Sequence, residues 1–210
     1  YVDGVYQPTA AANTSDLPDV ERIEVLKGPQ GTLFGRNATG GAIQIITRDP
    51  SFSTSGSLTA SYGRFRDVTL QGYISVPLSD TVAVGVTGSH TSSDGWLKDL
   101  LNDGKHTGKI KSNMVRAKLL FRPNENLKIL LTGFYRKRSD DNVNRQSALN
   151  GNSLPASFGI TPLAVRPFET STGSLGTIFT KSHGVTLRGE LTTAIGTLTS
   201  TSSYLNDTLH

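Results

Sequence analysis

VERIEVLKGPQGTLFGRNATGGAIQIITR, residues 20–48, sets two short strand-like runs on either side of a glycine-rich loop. In the first run Ile23 and Val25 alternate with Glu24 and Leu26, and Gly28 and Pro29 stop it. Residues 42–47 form the second run. Gly28, Gly31, Gly35, Gly40 and Gly41 allow tight turns and close backbone approach between the two, so the loop reads first as a folding device. A phosphate cradle does not fit. A Walker loop needs two glycines five apart followed by Lys and Ser or Thr, whereas Gly31, Gly35, Arg36 and Asn37 break that spacing. No GxGxxG occurs, and no helical pattern follows Gly41 to hold an anion at its N-terminus.

Outward from this stretch, the composition favours strands. The chain has 210 residues, only 35% of them hydrophobic, with 22 glycines and segments rich in Thr, Val, Ile, Leu and Tyr. A net charge of +4 is too small and too scattered for nucleic acid, and the basic run Arg136, Lys137, Arg138 is answered by Asp140 and Asp141. There is no cysteine, which excludes disulfides and thiol catalysis. No apolar run approaches the roughly 18 residues of a membrane helix. His90, His106, His183 and His210 share no metal-ligand spacing, and no Ser, His and Asp set suggests catalysis, so neither a metal site, a cofactor nor an enzyme is expected.

From Ser57 on, polarity alternates with period two. Val68, Leu70, Gly72, Ile74 and Val76 share one face, Val82, Val84 and Val86 another, and Val115, Ala117, Leu119 and Phe121 oppose Arg116, Lys118 and Arg122, with Leu120 as the exception. Seven strands are predicted, near 57–64, 66–77, 81–93, 110–122, 127–138, 183–195 and 197–206. Tight turns at 77–80 and 122–126 contrast with longer connections at 94–109 and 140–181. Most of these strands reach the 9–11 residues that cross a bilayer obliquely. Arg116, Lys118, Arg188 and Glu190 are then expected on a wet lumen, because each costs a few kcal/mol on hydrocarbon near the midplane, and Val115, Leu119, Val185 and Leu187 on lipid. Tyr62, Phe65, Tyr73, Trp96, Tyr135 and Tyr204 are candidates for interfacial girdles. A soluble β-sandwich or solenoid alternates in the same way, so alternation alone leaves both open.

The quoted stretch strongly resembles the end of the plug domain of TonB-dependent receptors of Gram-negative outer membranes. The resemblance rests on Arg22 to Leu26, Gly28 and Pro29, Leu33 to Gly35, Asn37 to Gly41 and Ile45 to Thr47, in that order over some thirty positions. Tyr1 to Val5 resembles the preceding plug strand; residues beyond 50 resemble barrel strands in pattern alone. This implies a mainly β chain: the C-terminal part of a plug at 1–50, then about seven antiparallel strands of an incomplete transmembrane β-barrel at 51–210. It also implies uptake of a scarce substrate such as a metal chelate of the siderophore class, cobalamin or an oligosaccharide. The plug would sit in a barrel of about 22 strands in the cell outer membrane. The partners implied are the TonB protein, outer-membrane lipid and that small molecule. The chain would then be a fragment whose TonB box and first plug half lie outside it.

Within that frame Gln7, Asn13 and Ser15, on the loop between plug strands, and the basic pair Arg116 and Lys118 are candidate substrate contacts. Arg22 and Glu24, two apart and so on one face, are expected either to latch the plug to wall charges or to form a local surface pair. Gly28, Pro29, Gly35, Arg36, Asn37, Gly40 and Gly41, with Phe34, are expected to shape the plug hairpin. A passive porin would share the strands but has no reason to carry residues 20–48. A soluble binding or adhesion module predicts instead that Val82, Val84 and Val86 pack into a core between sheets.

Overall fold

The computed structural model describes residues 1–7, 17–34, 38–141, 166–170 and 176–209. Strand β1 (Val20–Lys27) pairs antiparallel with β2 (Gly41–Thr47), joined through a single helical turn, α1 (Gly31–Phe34). α1 is closed by Phe34 N donating to Gln30 O and by Gln30 N donating to Ala38 O. Gly35, Arg36 and Asn37, expected to shape this hairpin, lie outside the described residues.

Gly41 enters β2 at a φ of +138°, and a Cβ there would sit 2.4 Å from the Leu26 carbonyl oxygen. Only glycine reaches that backbone region without strain. Gly41→Ala should therefore cost about 1–3 kcal/mol of hairpin stability, read as earlier unfolding of the hairpin by denaturant in the full-length protein. Tyr1 to Val5, expected as a strand, forms only isolated bridges, Val2 with Val5 and Val2 with Ile45. Asp3 and Gly4 both take positive φ, which turns the segment back after two residues. Tyr1 still anchors it, donating its hydroxyl to Phe34 O at 2.6 Å and placing its ring 4.9 Å from that of Phe34.

After a linker at 48–54 comes one large antiparallel sheet. It contains β3 (Ser55–Gly63), β4 (Asp67–Pro77), β5 (Val82–Ser93), β8 (Ile110–Asn124), β9 (Leu127–Asp141), β11 (Thr177–Thr193) and β12 (Gly196–Leu209), each bonded to the next in this order. These are the seven predicted strands. Three of them run clearly further than side-chain polarity suggested: β9 continues past Arg138 to Asp141, β11 begins at Thr177, and β12 runs on to Leu209. Main-chain pairing from Thr177 with Asp141 to Lys181 with Lys137 carries β9 and β11 there. Turns at 78–81, 125–126 and 194–195 close one end, while the connections at 94–109 and 142–176 leave from the other. At that second end β6 (Leu97–Asp99) pairs with β7 (His106–Thr107) and with β10 (Glu169–Thr170), so two long connections share a small sheet. Trp96 packs edge-on against Phe168 there, and Phe65 against His106, which takes both aromatics out of any girdle.

The sheet is inside out. In β8 the buried positions are Ser112, Met114, Arg116, Lys118 and Leu120, and the exposed ones between them include Val115, Ala117, Leu119 and Phe121. Ser75, Thr87, Ser89, Thr132, Thr180 and Ser182 are buried on the same face, whereas Leu70, Ile74, Val86, Leu131, Val185 and Leu187 are exposed. Val82 and Val84 share the outward face with Val86, and among the described residues no second sheet covers them. A soluble sandwich buries its apolar face; this sheet turns it out. Tyr73 is buried on the polar face and donates to Asp49 O at 3.3 Å, so it is a wall residue and not a girdle residue, while Tyr62, Tyr135 and Tyr204 do lie on the outward face.

Candidate functional site: the junction of hairpin and wall

Opposite the polar face lies the hairpin segment, and ionic contacts join the two. Asp19, just ahead of β1, is 1% exposed and receives both its carboxylate oxygens' bonds from Arg116 Nη1, at 2.7 and 2.9 Å. Thr87 Oγ1 donates to the same carboxylate at 2.9 Å. Thr87 and Arg116 are register partners on β5 and β8, so the sheet brings hydroxyl and guanidinium to one point. The Asp19 carbonyl accepts from Arg48 N, which ties the carboxylate's backbone to the end of β2.

One register step along the wall, Lys118 makes a second junction. Its ammonium lies 3.4 Å from Asp3 Oδ2 and donates to Thr47 O at 3.1 Å and Asp49 Oδ1 at 3.2 Å. Asp3 is held by Thr47 N and Thr47 Oγ1 at 2.8 and 2.7 Å, and Lys128 Nζ reaches Asp49 Oδ2 at 2.7 Å. Lys118 is 4% exposed in its side chain, and its ammonium has two hydrogen-bond acceptors and a further carboxylate within ion-pair distance. The linker is stitched to the wall as well: Ser51 N donates to Ser75 Oγ at 2.8 Å. At Gly85 an added Cβ would lie 3.3 Å from Pro50, so the absent side chain leaves room for the linker.

Burial alone would raise the Asp49 carboxyl, but the Lys118 and Lys128 ammoniums outweigh it and hold the group below its ordinary value. A depressed carboxyl stabilises the fold above the unfolded carboxylate range, and that contribution is lost as pH falls through the folded value. The junction should therefore weaken on acidification below the ordinary carboxylate range. Asp49→Asn should flatten this part of the profile, measured as plug unfolding against pH in the full-length protein.

Arg22 and Glu24, expected either to latch the plug to wall charges or to pair locally, take no part in these junctions among the described residues. Arg22 donates through Nε to Glu24 at 2.8 Å and through Nη1 to Glu21 at 3.1 Å, and these side chains are about half exposed. On a hairpin face turned from the wall, they pair locally; the junction is made by Asp3, Asp19 and Asp49. Arg116 and Lys118, expected to touch substrate, have their charged heads on these carboxylates, so they hold the hairpin. Gln7 lines a cavity of about 60 Å³ between the hairpin segment and the wall, together with Asp3, Leu17, Arg116 and Phe134. Asn13 and Ser15 lie outside the described residues. Arg188 and Glu190 stand on the polar face as expected and pair with each other at 2.7 Å. Asp3, Asp19, Asp49, Thr87 and Lys128 were not singled out from sequence.

Fold and junction together define a class: a β-barrel wall segment, apolar outside and polar inside, carrying a hairpin bound to its inner face. Residues 1–42 match the family model described as the TonB-dependent Receptor Plug Domain. Among curated relatives, the Pesticin receptor of Yersinia pestis is 32% identical over 127 residues, which cover 60% of this chain and 19% of that protein. The Iron-regulated outer membrane virulence protein of Vibrio cholerae is 28% identical over 141 residues, 64% of this chain and 21% of the relative. The chain thus spans about a fifth of the length of these relatives. Among solved structures, the ferric yersiniabactin uptake receptor FyuA from Yersinia pestis has the same fold over 100% of this chain and 32% of its own, with a TM-score of 0.82 at 21% identity. The ferric-catecholate import receptor Fiu from E. coli K12 gives 0.79 at 18% identity, over 100% of this chain and 31% of its own.

Proposed function

We propose that this chain is the plug-to-barrel portion of a TonB-dependent outer-membrane receptor that imports a ferric siderophore. The observation that carries the reading is the inverted burial of the sheet, whose buried Arg116 and Lys118 are neutralised by hairpin carboxylates while Val115, Leu119, Val185 and Leu187 face out. Strands of 11–17 residues from β4 to β12 in the large sheet are long enough to cross a bilayer at a tilt. A passive porin needs an open lumen and gains nothing from a hairpin bonded to its wall. The division at about residue 50 follows from this reading, with residues 1–50 as plug and 51–210 as wall.

The siderophore class is supported by the names of the relatives, which include a ferric yersiniabactin uptake receptor and a ferric-catecholate import receptor. The long connections at 94–109 and 142–176 would face outward to meet the chelate, and the energised TonB protein would disturb the plug from the opposite side. The ion pairs at Asp19 and Lys118 are then the bonds that such work must break. They are hydrogen-bonded charge pairs, buried at Asp19 and Arg116 and partly exposed at Asp49 and Lys128, stable at rest yet separable when more water enters. No step here calls for bond-making chemistry. The test is a binding titration of the purified full-length receptor with a panel of ferric siderophores, cobalamin and an oligosaccharide. Saturable binding of one ferric chelate is expected; binding of an oligosaccharide alone would move the substrate class, and binding of none would remove the receptor reading.

A further inference from the structure

The outward face carries a feature that transport does not use. Lys111 on β8, Lys137 on β9 and Lys181 on β11 are all exposed and share the face of Val115, Tyr135 and Val185. Lys137 and Lys181 are direct register partners. Lys111 is the diagonal neighbour of Lys137, since its partner is Ser139 while Lys137 faces Asn113. Like charges directly opposite on a sheet destabilise it, and such neighbours sit within about 8 Å. No acidic side chain is ion-paired with these lysines among the described residues. The acid that follows on the same face, Asp141, accepts from Thr107 Oγ1, Lys109 N and Thr177 Oγ1. Lys181 instead leans over the Tyr135 ring, 5.8 Å from its centroid.

Beside the lysines on the same face, over β4, β5 and β8, is an open groove of about 440 Å³. Gly72 and Gly88 floor it, Leu58, Leu70, Val115 and Tyr135 flank it, and His90 Nδ1 and Asn113 Oδ1, 2.8 Å apart, mark its polar upper edge. Lys137 and Lys181 share the register row of Asn113 and His90, with Lys111 one pair further out, so a cationic cluster and a polar edge border an apolar groove on one face, as an amphiphile lying along the wall requires. We propose that this face binds a phosphorylated lipid of the leaflet around the barrel, its phosphate bridging Lys111, Lys137 and Lys181 and an acyl chain lying in the Gly72–Gly88 groove. The proposal rests on the outer-membrane reading above, which puts the long-connection end, and so the lysines, at the outer leaflet. An anionic headgroup removes the lysine repulsion, and the groove removes acyl surface from competition with ordinary packing.

The test is titration of the delipidated full-length receptor in neutral detergent with bis-phosphorylated lipid A, with inorganic phosphate as competitor. Saturable binding is expected, unmoved by equal concentrations of free phosphate. The K111Q/K137Q/K181Q variant should bind roughly a hundredfold more weakly, and the matching arginine variant should retain binding. Gly88→Val, at a position where an added Cβ meets only ordinary contacts, should weaken binding by filling the groove. Equal binding by wild type and the glutamine variant overturns the proposal, as does displacement by free phosphate. Heat-modifiable migration on a gel separates the two readings: a closed barrel with equal binding sinks the lipid site alone, and absence of a barrel sinks both.

Discussion

Replacing Asp19 by alanine in the full-length receptor should lower the stability of the plug by about 3–5 kcal/mol, the cost of leaving one member of a buried ion pair alone. Among the described residues Arg116 donates to Asp19 only, and it is 6% exposed, so water cannot readily take over the lost bonds. Thr87 Oγ1 loses its acceptor too. The expected readout is a lower denaturant midpoint for plug unfolding with the barrel transition unchanged. Combining Asp19→Ala with Arg116→Met should recover most of the loss, because an apolar side chain of similar reach needs no counter-charge. If the double variant is as unstable as the single one, the effect lies in the Asp19 backbone and not in the pair.

Lys118→Met should give the second largest effect, about 3 kcal/mol. It leaves Asp3 and Asp49 facing each other across the vacated position and strips the Thr47 carbonyl of a donor. The loss is smaller than at Asp19 because each acid keeps a partner: Asp3 retains Thr47 N and Oγ1, and Asp49 retains Lys128. Lys118→Met with Asp49→Asn should therefore be more stable than Lys118→Met alone near neutral pH. The same denaturant titration, run on the double variant, checks it.

The wall was legible in the sequence because a barrel inverts the soluble rule. Val115, Ala117, Leu119 and Phe121 alternate with Arg116 and Lys118, and such a strand cannot have its charged face on lipid. Leu120 broke the pattern and has a local reason: it packs with Ala83 and Leu130, a small apolar layer on the inner face near the short turns. The far ends of β9 and β11 were not legible, since main-chain pairing rather than side-chain polarity carries β9 past Arg138 to Asp141 and starts β11 at Thr177, ahead of His183. The junction was half legible. Its wall side showed as buried-face cations, but the partners Asp19 and Arg116 are 97 residues apart, and nothing local marks which acid meets which base. Arg22 and Glu24 attracted notice because they share a strand face, and it is that closeness which lets them satisfy each other.

The account stands most directly on uptake. Cells expressing the full-length protein are given a radiolabelled ferric siderophore, the substrate class proposed above, with and without collapse of the inner-membrane proton gradient. Accumulation that stops on collapse, while surface binding persists, is the result expected of a plug held by the Asp19 and Lys118 junctions and moved by energy from outside the chain. Accumulation that continues after collapse would contradict it and make the wall part of a passive pore.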